Sequence, residues 1–98
     1  MAAKVALANI ADFRKPVFLA GDFNVSPESS TIAELKKGMT ILNDTSVFTF
    51  PSSGPRICID YIMVNTPFAD RVDVIDRRVI VDPDATDHCA VIVKANLK

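Results

Sequence analysis

The chain has little of several features that would place a protein in a broad class. Its 98 residues include two cysteines, one histidine and no tryptophan, and the formal net charge is −1. No apolar run approaches the roughly 20 residues that a membrane-spanning helix needs. Basic residues cluster no further than adjacent pairs such as Lys36-Lys37, so no basic stripe marks a path for a nucleic-acid backbone. Composition therefore gives no support to a transmembrane protein or to a duplex-binding one.

The two cysteines, Cys58 and Cys89, both lie in apolar, strand-like runs. A free cysteine in such a run usually behaves as a small buried hydrophobe. The pair has no CxxC spacing, so neither a zinc site nor a redox centre is expected from it. A disulfide stays open as an alternative, because the two strands could be neighbours.

The length fits one domain or a piece of one. Hydrophobic residues make up 49% of the chain, a high share for so short a soluble protein. Either an apolar face is covered by something outside this sequence, or the core is simply rich in Val and Ile. The first residues resemble a signal peptide poorly, since Asn9 and Asp12 interrupt the apolar stretch. A cytoplasmic location is expected only if Met1 is the genuine start.

Periodicity and turn residues predict an α+β order of helices and strands. One helix is expected over Ala3–Phe13, and a second begins at Ser26 as N-cap with Pro27 in its first turn. The two helices can cover one face of a sheet, and nothing in the chain is left to cover the other. The expected strands are Val17–Ala20, Met39–Leu42, Val47–Phe50, Ile57–Val64, Arg71–Val81 and Cys89–Leu97.

Asp22 and Asn24 directly follow the first strand, in the tetrapeptide Gly21-Asp22-Phe23-Asn24. Because they are two residues apart, their side chains can point to the same side. A carboxylate and an amide placed there could hold a hard cation, orient water or donate to a phosphoryl oxygen. The alternative is structural, with Asp22 accepting hydrogen bonds from backbone amides of the turn.

Asp60 lies in the most apolar strand, where an unpaired carboxylate would cost several kcal/mol. It therefore needs a partner, and His88 is the candidate because it is the single histidine. Such a pair fixes the imidazole tautomer and raises the pKa of the histidine, which gives a proton carrier near neutral pH. The alternative is structural, either a buried pair or an Asp60 carboxyl that emerges at the strand edge and caps a loop. Asp87 precedes His88, and the two point to opposite sides if the backbone there is extended.

Taken together and in this order, these segments resemble the endonuclease/exonuclease/phosphatase superfamily, which has the fold of deoxyribonuclease I. In Thr86-Asp87-His88, threonine stands where the family usually has serine, and it keeps the hydroxyl group. The segments that carry the resemblance are Pro16–Asn24 with its Gly-Asp-x-Asn motif, Ser26-Pro27, Thr49-Phe50-Pro51, Ile59-Asp60-Tyr61-Ile62 and Thr86-Asp87-His88.

The resemblance implies metal-dependent hydrolysis of phosphate esters, with Mg²⁺ as the expected metal and Mn²⁺ as a substitute. It implies that Asp22 orients the attacking water or helps to hold the metal, and that Asn24 contacts the phosphate. Asp60 would orient His88, and His88 would act as a base or as a donor to the phosphate. Asp87 would take part in metal binding.

The resemblance also implies that part of the usual equipment is missing. The family's first half carries a metal-binding Glu, an Asn and a further phosphate-facing residue, and this chain begins after them. We expect residues 1–98 to be a single partial domain, the C-terminal half of a four-layered sandwich. It would contribute one mixed β-sheet with two helices on one face. The uncovered sheet face is expected to pair in a homodimer, and the isolated chain is expected to be inactive.

Two other readings stay open beside a phosphodiesterase, nuclease or phosphatase. One is a non-enzymatic module of the same fold that self-associates or binds phosphorylated ligands. The other is an ordinary two-layer α/β domain with structural carboxylates. The family's substrates include nucleic acids, inositol phosphates, sphingolipids and small phosphomonoesters. The modest charge of the chain disfavours long nucleic acids without excluding them.

Overall fold

The computed structural model describes residues 14–98, and its elements are short. The helix expected over Ala3–Phe13 lies outside this range. No helix within it is long and apolar enough to cross a membrane. The elements in chain order are strand β1 (Phe18–Asp22), helix α1 (Ser30–Leu35), β2 (Met39–Ile41), β3 (Asp60–Asn65), a 3₁₀ helix (Thr66–Arg71), β4 (Val72–Ile80) and β5 (Ala90–Leu97).

The strands form two antiparallel sheets. One has the order β1-β3-β2, and the other is the hairpin of β4 and β5. The connection through α1 makes β1 and β2 run in the same direction, but β3 lies between them and runs opposite to both. The prediction of one mixed sheet is therefore wrong. β1 and β2 run in the same direction but do not pair, because β3 lies between them, and every pairing in the two sheets is antiparallel.

Helix α1 begins later than the sequence pattern indicated. Its N-cap is Ser29, whose hydroxyl accepts a hydrogen bond from the Ile32 amide, and the expected cap Ser26 lies in the preceding loop. The Ser-Pro step favoured the earlier start, since proline suits a first helical turn. The predicted buried stripe of Ile32 and Leu35 is confirmed, because both side chains are fully buried.

The main core lies between α1 and one face of the three-stranded sheet. Tyr61 of β3 is buried in it, and its hydroxyl lies 2.7 Å from the Val25 carbonyl oxygen and 3.0 Å from that of Cys58. These contacts fix β3 against the loop that follows β1. Cys58 and Cys89 are both buried and free, so the disulfide alternative is excluded. The core residues are Ile32, Leu35, Met39, Cys58, Tyr61 and Met63.

The opposite face of this sheet is partly covered by the β4–β5 hairpin. Val64 of β3 packs with Leu42 and Val72, and Val74 and Val93 lie against this second cluster. The expectation that nothing in the chain covers this face is therefore wrong for β3, since the hairpin folds back over it. Other apolar side chains stay open to solvent, among them Phe18, Ile75, Ile80, Ile92 and Leu97.

Residues before β3 are less regular than predicted. The strand expected over Val47–Phe50 makes a single bridge, between Phe50 and Ile57, and β3 starts at Asp60 instead of Ile57. Asp60 is thus the first residue of its strand and not an interior one. This places its carboxylate at the end of the sheet, where β1 finishes.

Candidate active site

Asp22 and Asp60 face each other across the β1–β3 ladder. Asp22 ends β1, Asp60 begins β3, and the two are direct cross-strand partners. Side chains of such partners lie on the same face, and like charges placed there repel and weaken the sheet. The pair of carboxylates therefore requires a compensating group beside it.

His88 provides that group from the connection between β4 and β5. Its Nδ1 lies 2.9 Å from Oδ2 and 3.1 Å from Oδ1 of Asp60. Its Nε2 lies 3.4 Å from Oδ2 of Asp22. Asp60 keeps 15% of its side chain exposed and Asp22 keeps 38%, so the cluster opens to solvent on the Asp22 side. The imidazole joins two carboxylates that would otherwise destabilise each other.

The carboxylates alter the charge state of the imidazole. The hydrogen bond with Asp60 is the largest cause that raises the pKa of His88 above its ordinary value. Burial acts in the opposite direction, and the negative charges of Asp60, Asp22 and Asp87 raise this pKa further. His88 therefore carries a proton over a wider range of pH than a free histidine does.

The turn after β1 fixes the carboxylate of Asp22. Gly21 has a φ of 150° and Asn24 a φ of 57°, two conformations that glycine and asparagine tolerate better than other residues. The Asn24 amide donates to Oδ1 of Asp22 at 2.9 Å. One oxygen of Asp22 thus caps the turn, as the structural interpretation predicts, while the other faces His88.

Not every residue predicted from sequence enters the cluster. Among residues 14–98, the acidic, histidine and cysteine side chains whose ligand atoms lie within 4.8 Å of one another are Asp22, Asp60 and His88. Asp87 is exposed, and its carboxylate accepts a hydrogen bond from the Thr86 hydroxyl at 3.3 Å. Asn24 lies beside the cluster with its side chain exposed.

The cleft beside Asp60 offers little positive charge. A cavity of about 210 Å³ lies there, between the three-stranded sheet and the start of β5. A phosphate bound near it would find no lysine or arginine among the described residues of its walls. Positive charge at this site would come from His88 and from a bound cation. The lining residues are Ala20, Gly21, Asp60, Tyr61, Ile62, Cys89 and Val91.

The donor set fits a divalent cation only in part. Both oxygens of Asp60 lie within hydrogen-bonding distance of His88, which leaves Asp22 as the more available carboxylate. Mg²⁺ is commonly held by one or two carboxylates, with water and substrate oxygens as the other ligands. Asp22 meets the minimum of that requirement, and a second protein ligand would strengthen the site.

Comparison with known proteins decides the lineage of this site. The model of the endonuclease/exonuclease/phosphatase family matches residues 2–88. The chain belongs to this family. The match begins upstream of Pro16, the first residue of the segments that carry the resemblance, and it ends at His88. No curated protein and no solved structure matches the chain.

Family membership gives the Asp–His cluster its chemical context. Members of the endonuclease/exonuclease/phosphatase family are metal-dependent phosphoesterases, so this chain has a phosphoester hydrolase lineage. Two residues that hydrogen-bond the backbone next to the cluster, Thr49 and Asn43, were not among the predicted site residues, and Thr49 was named only within the segment Thr49-Phe50-Pro51. Both are buried polar residues outside the strands, and a polar residue inside an apolar stretch was the available signal.

Proposed function

We propose that this chain carries part of the active site of a metal-dependent phosphoester hydrolase, with Asp22, Asp60 and His88 at its centre. The observation that supports this most strongly is the position of His88, which bonds one carboxylate through Nδ1 and faces another through Nε2. A purely structural pair would need Asp60 alone. The second carboxylate, directly opposite the first, costs stability and has a reason to persist if it acts in catalysis.

Asp60 and His88 would act as an orienting pair. With the Asp60 carboxylate accepting from Nδ1–H, the imidazole is held in one orientation, and its Nε2, 3.4 Å from Oδ2 of Asp22, is the nitrogen that substrate can reach. The raised pKa of His88 favours the imidazolium, which can donate Nε2–H to a phosphoryl oxygen. This donation stabilises the negative charge that grows on phosphorus oxygens as water attacks.

Asp22 and Asn24 would serve the attacking water and the phosphate. The carboxylate of Asp22 can accept a proton from the attacking water. The water oxygen then bonds to phosphorus while the bond between phosphorus and the leaving oxygen breaks. Asn24, two residues on, can donate from its side-chain amide to a phosphoryl oxygen. Asp22, with Asp87 as a predicted second ligand, would hold Mg²⁺ or Mn²⁺, which supplies Lewis-acid neutralisation of the phosphate when bound.

We propose in addition that this active site is incomplete. Residues 1–98 would form a single partial domain, the C-terminal half of the four-layered sandwich, without the metal-binding Glu of the other half. The contact of both Asp60 oxygens with His88 supports this view, since it leaves Asp22 as the more available carboxylate of the cluster, the minimum that commonly holds Mg²⁺. The isolated chain is therefore expected to hydrolyse phosphate esters poorly or not at all.

The test is hydrolysis of bis(4-nitrophenyl) phosphate with Mg²⁺ or Mn²⁺, for the chain and for its His88→Ala variant. We expect the chain and the variant to hydrolyse this substrate no faster than the metal ion does without protein. Inorganic phosphate added with Mg²⁺ should still perturb the ring signals of His88 in the NMR spectrum relative to Mg²⁺ alone, and the Asp22→Asn variant should lose this effect. Hydrolysis above background that His88→Ala abolishes would show that the active site is complete. Absence of any phosphate effect on the His88 signals would contradict phosphate binding at this cluster.

A second candidate, a non-enzymatic self-associating module, is favoured by the apolar surface that the sheets leave open. Phe18 is 48% exposed on β1, and Ile75 and Ile92 are 53% and 42% exposed on the hairpin. The predicted homodimer would bury such residues. Light scattering on a sizing column should show a dimer whose proportion rises with concentration and falls in Ile92→Lys but not in the exposed control Ser53→Lys. A monomer at every concentration would contradict it.

A further inference from the structure

Thr49 is an unusually well-bonded residue for a position outside the strands. Its side chain is fully buried. Its amide donates to the Ile57 carbonyl at 2.8 Å, and its carbonyl accepts from the Cys89 amide at 2.7 Å. Its hydroxyl accepts from the Ile59 amide at 3.1 Å. One residue thus bonds three separate points of the backbone.

Two of those points adjoin the candidate active site. Ile59 precedes Asp60, and Cys89 follows His88, so Thr49 contacts the immediate neighbour of each member of the pair. The sheet ladders do not join β3 to β5, because β3 pairs with β1 and β2 while β5 pairs with β4. Within the described residues, Thr49 therefore joins the two segments directly, since its hydroxyl bonds the Ile59 amide and its carbonyl bonds the Cys89 amide.

The residues that follow Thr49 extend the same link. The ring of Phe50 lies 4.8 Å from the imidazole of His88, centroid to centroid. The Ser52 amide donates to the Asp87 carbonyl at 2.8 Å, and its hydroxyl donates to the Thr86 carbonyl. Ser52 is 3% exposed, so these bonds are shielded from water. Residues 49–52 thus hold both sides of His88.

From this arrangement we propose that Thr49 is a positioning residue, whose hydroxyl and carbonyl set the distance between Asp60 and His88. It contacts neither side chain and acts through the two backbones. Its relevance to catalysis rests on the proposed function, whereas its effect on the Asp60–His88 hydrogen bond does not. Loss of the hydroxyl would leave the Ile59 amide buried without its acceptor, and the start of β3 would shift to regain one.

The test compares Thr49→Val, which keeps the shape and removes the hydroxyl, with Thr49→Ser, which keeps the hydroxyl. The readout is the downfield Nδ1–H proton of His88 in the NMR spectrum, measured without metal or substrate. We expect this signal in the wild type and in Thr49→Ser, and its loss in Thr49→Val. The matched control is Thr40→Val, since the Thr40 hydroxyl bonds that of Thr66 at the surface and not the site. It should leave the signal unchanged.

A retained His88 signal in a folded Thr49→Val chain, or its loss in a folded Thr49→Ser chain, would overturn the proposal. Hydrogen exchange of the wild type covers the case in which Thr49→Val does not fold. The amides of Ile59 and Cys89 should exchange slowly and at similar rates, and fast exchange of either would overturn the link. Absence of any phosphate effect at His88 would instead refute the proposed function and leave the positioning role standing.

Discussion

The charge state of His88 depends on the hydrogen bond that its ring donates to one neighbour, Asp60. In Asp60→Asn the acceptor loses its negative charge, and we expect the pKa of His88 to fall, because the hydrogen bond that His88 donates to Asp60 is the largest cause that raises it. An NMR titration of the imidazole carbons measures this pKa. The matched control is Asp87→Asn, which removes an equal charge that does not hydrogen-bond the ring. An equal fall of the pKa in both variants would contradict this assignment.

The same residue makes the stability of the fold depend on pH. Since the folded pKa of His88 is raised, its contribution is complete below the unfolded value of about 6.5. The contribution is lost as the pH rises through the folded pKa. Urea unfolding of the wild type and of His88→Asn should show a difference in free energy that shrinks above this range. A difference in unfolding free energy that grows with pH would contradict a pKa of His88 that is raised by folding.

At the residue scale, much of the candidate site was predictable. Asp60 needed a partner because it lies in an apolar stretch, and the chain has a single histidine to supply one. The structure pairs them, and it also brings in Asp22. The contact of Asp87 with Thr86 could not be predicted, because the direction of a side chain in an irregular connection follows from tertiary contacts.

At the scale of elements, the turn that ends β1 should be sensitive to glycine replacement. Gly21 has a φ of 150°, which an L side chain rarely adopts, so Gly21→Ala should cost about 1–3 kcal/mol of unfolding free energy. The control Gly54→Ala adds its methyl group into open space and should change stability by less than about 1 kcal/mol. Urea unfolding measures both. Equal losses of unfolding free energy in the two variants would contradict a conformational constraint at Gly21.

Asn43 extends the sheet beyond the end of β2 with its side chain. Its Oδ1 accepts from the Ile62 amide at 2.8 Å, and its Nδ2 donates to the Asp60 carbonyl at 3.2 Å. Asn43→Ala should therefore cost about 1–3 kcal/mol of unfolding free energy, because these backbone groups lose their partners. The exposed Asn96 is the control, with a change within about 0.5 kcal/mol on replacement by Ala. A neutral Asn43→Ala would show that water replaces the amide.

Element types were predicted better than their ends or their pairing. Apolar runs placed five of the strands, but Val47–Phe50 makes only a single bridge, because its backbone bonds go to Ile57 and Cys89 through Thr49 and Phe50. The late start of α1 reflects a choice between Ser26 and Ser29 as cap, which local sequence does not decide. The antiparallel pairing depends on β3 lying between β1 and β2, a long-range contact that no local pattern encodes.

At the scale of the whole molecule, the chain folds two small sheets against each other and leaves apolar positions exposed at their outer surfaces. The high hydrophobic content indicated such exposure, although part of it is used within the chain, between β3 and the hairpin. Membership of the family was predictable because the motifs are short, local and ordered. Completeness of the active site is a property of the whole domain, and it depends on ligands beyond the cluster described here.

The position at which a divalent cation binds shows most directly whether Asp22, Asp60 and His88 form a metal site. Substoichiometric Mn²⁺ added to the ¹⁵N-labelled chain broadens NMR signals near its site, even when binding is weak. We expect the signals of residues 22–24 and of His88 to broaden first, and we expect Asp22→Asn to remove this effect while the exposed control Asp73→Asn does not. Broadening spread evenly over exposed carboxylates, or none at His88, would contradict the claim that this cluster is the remnant of a phosphoesterase site.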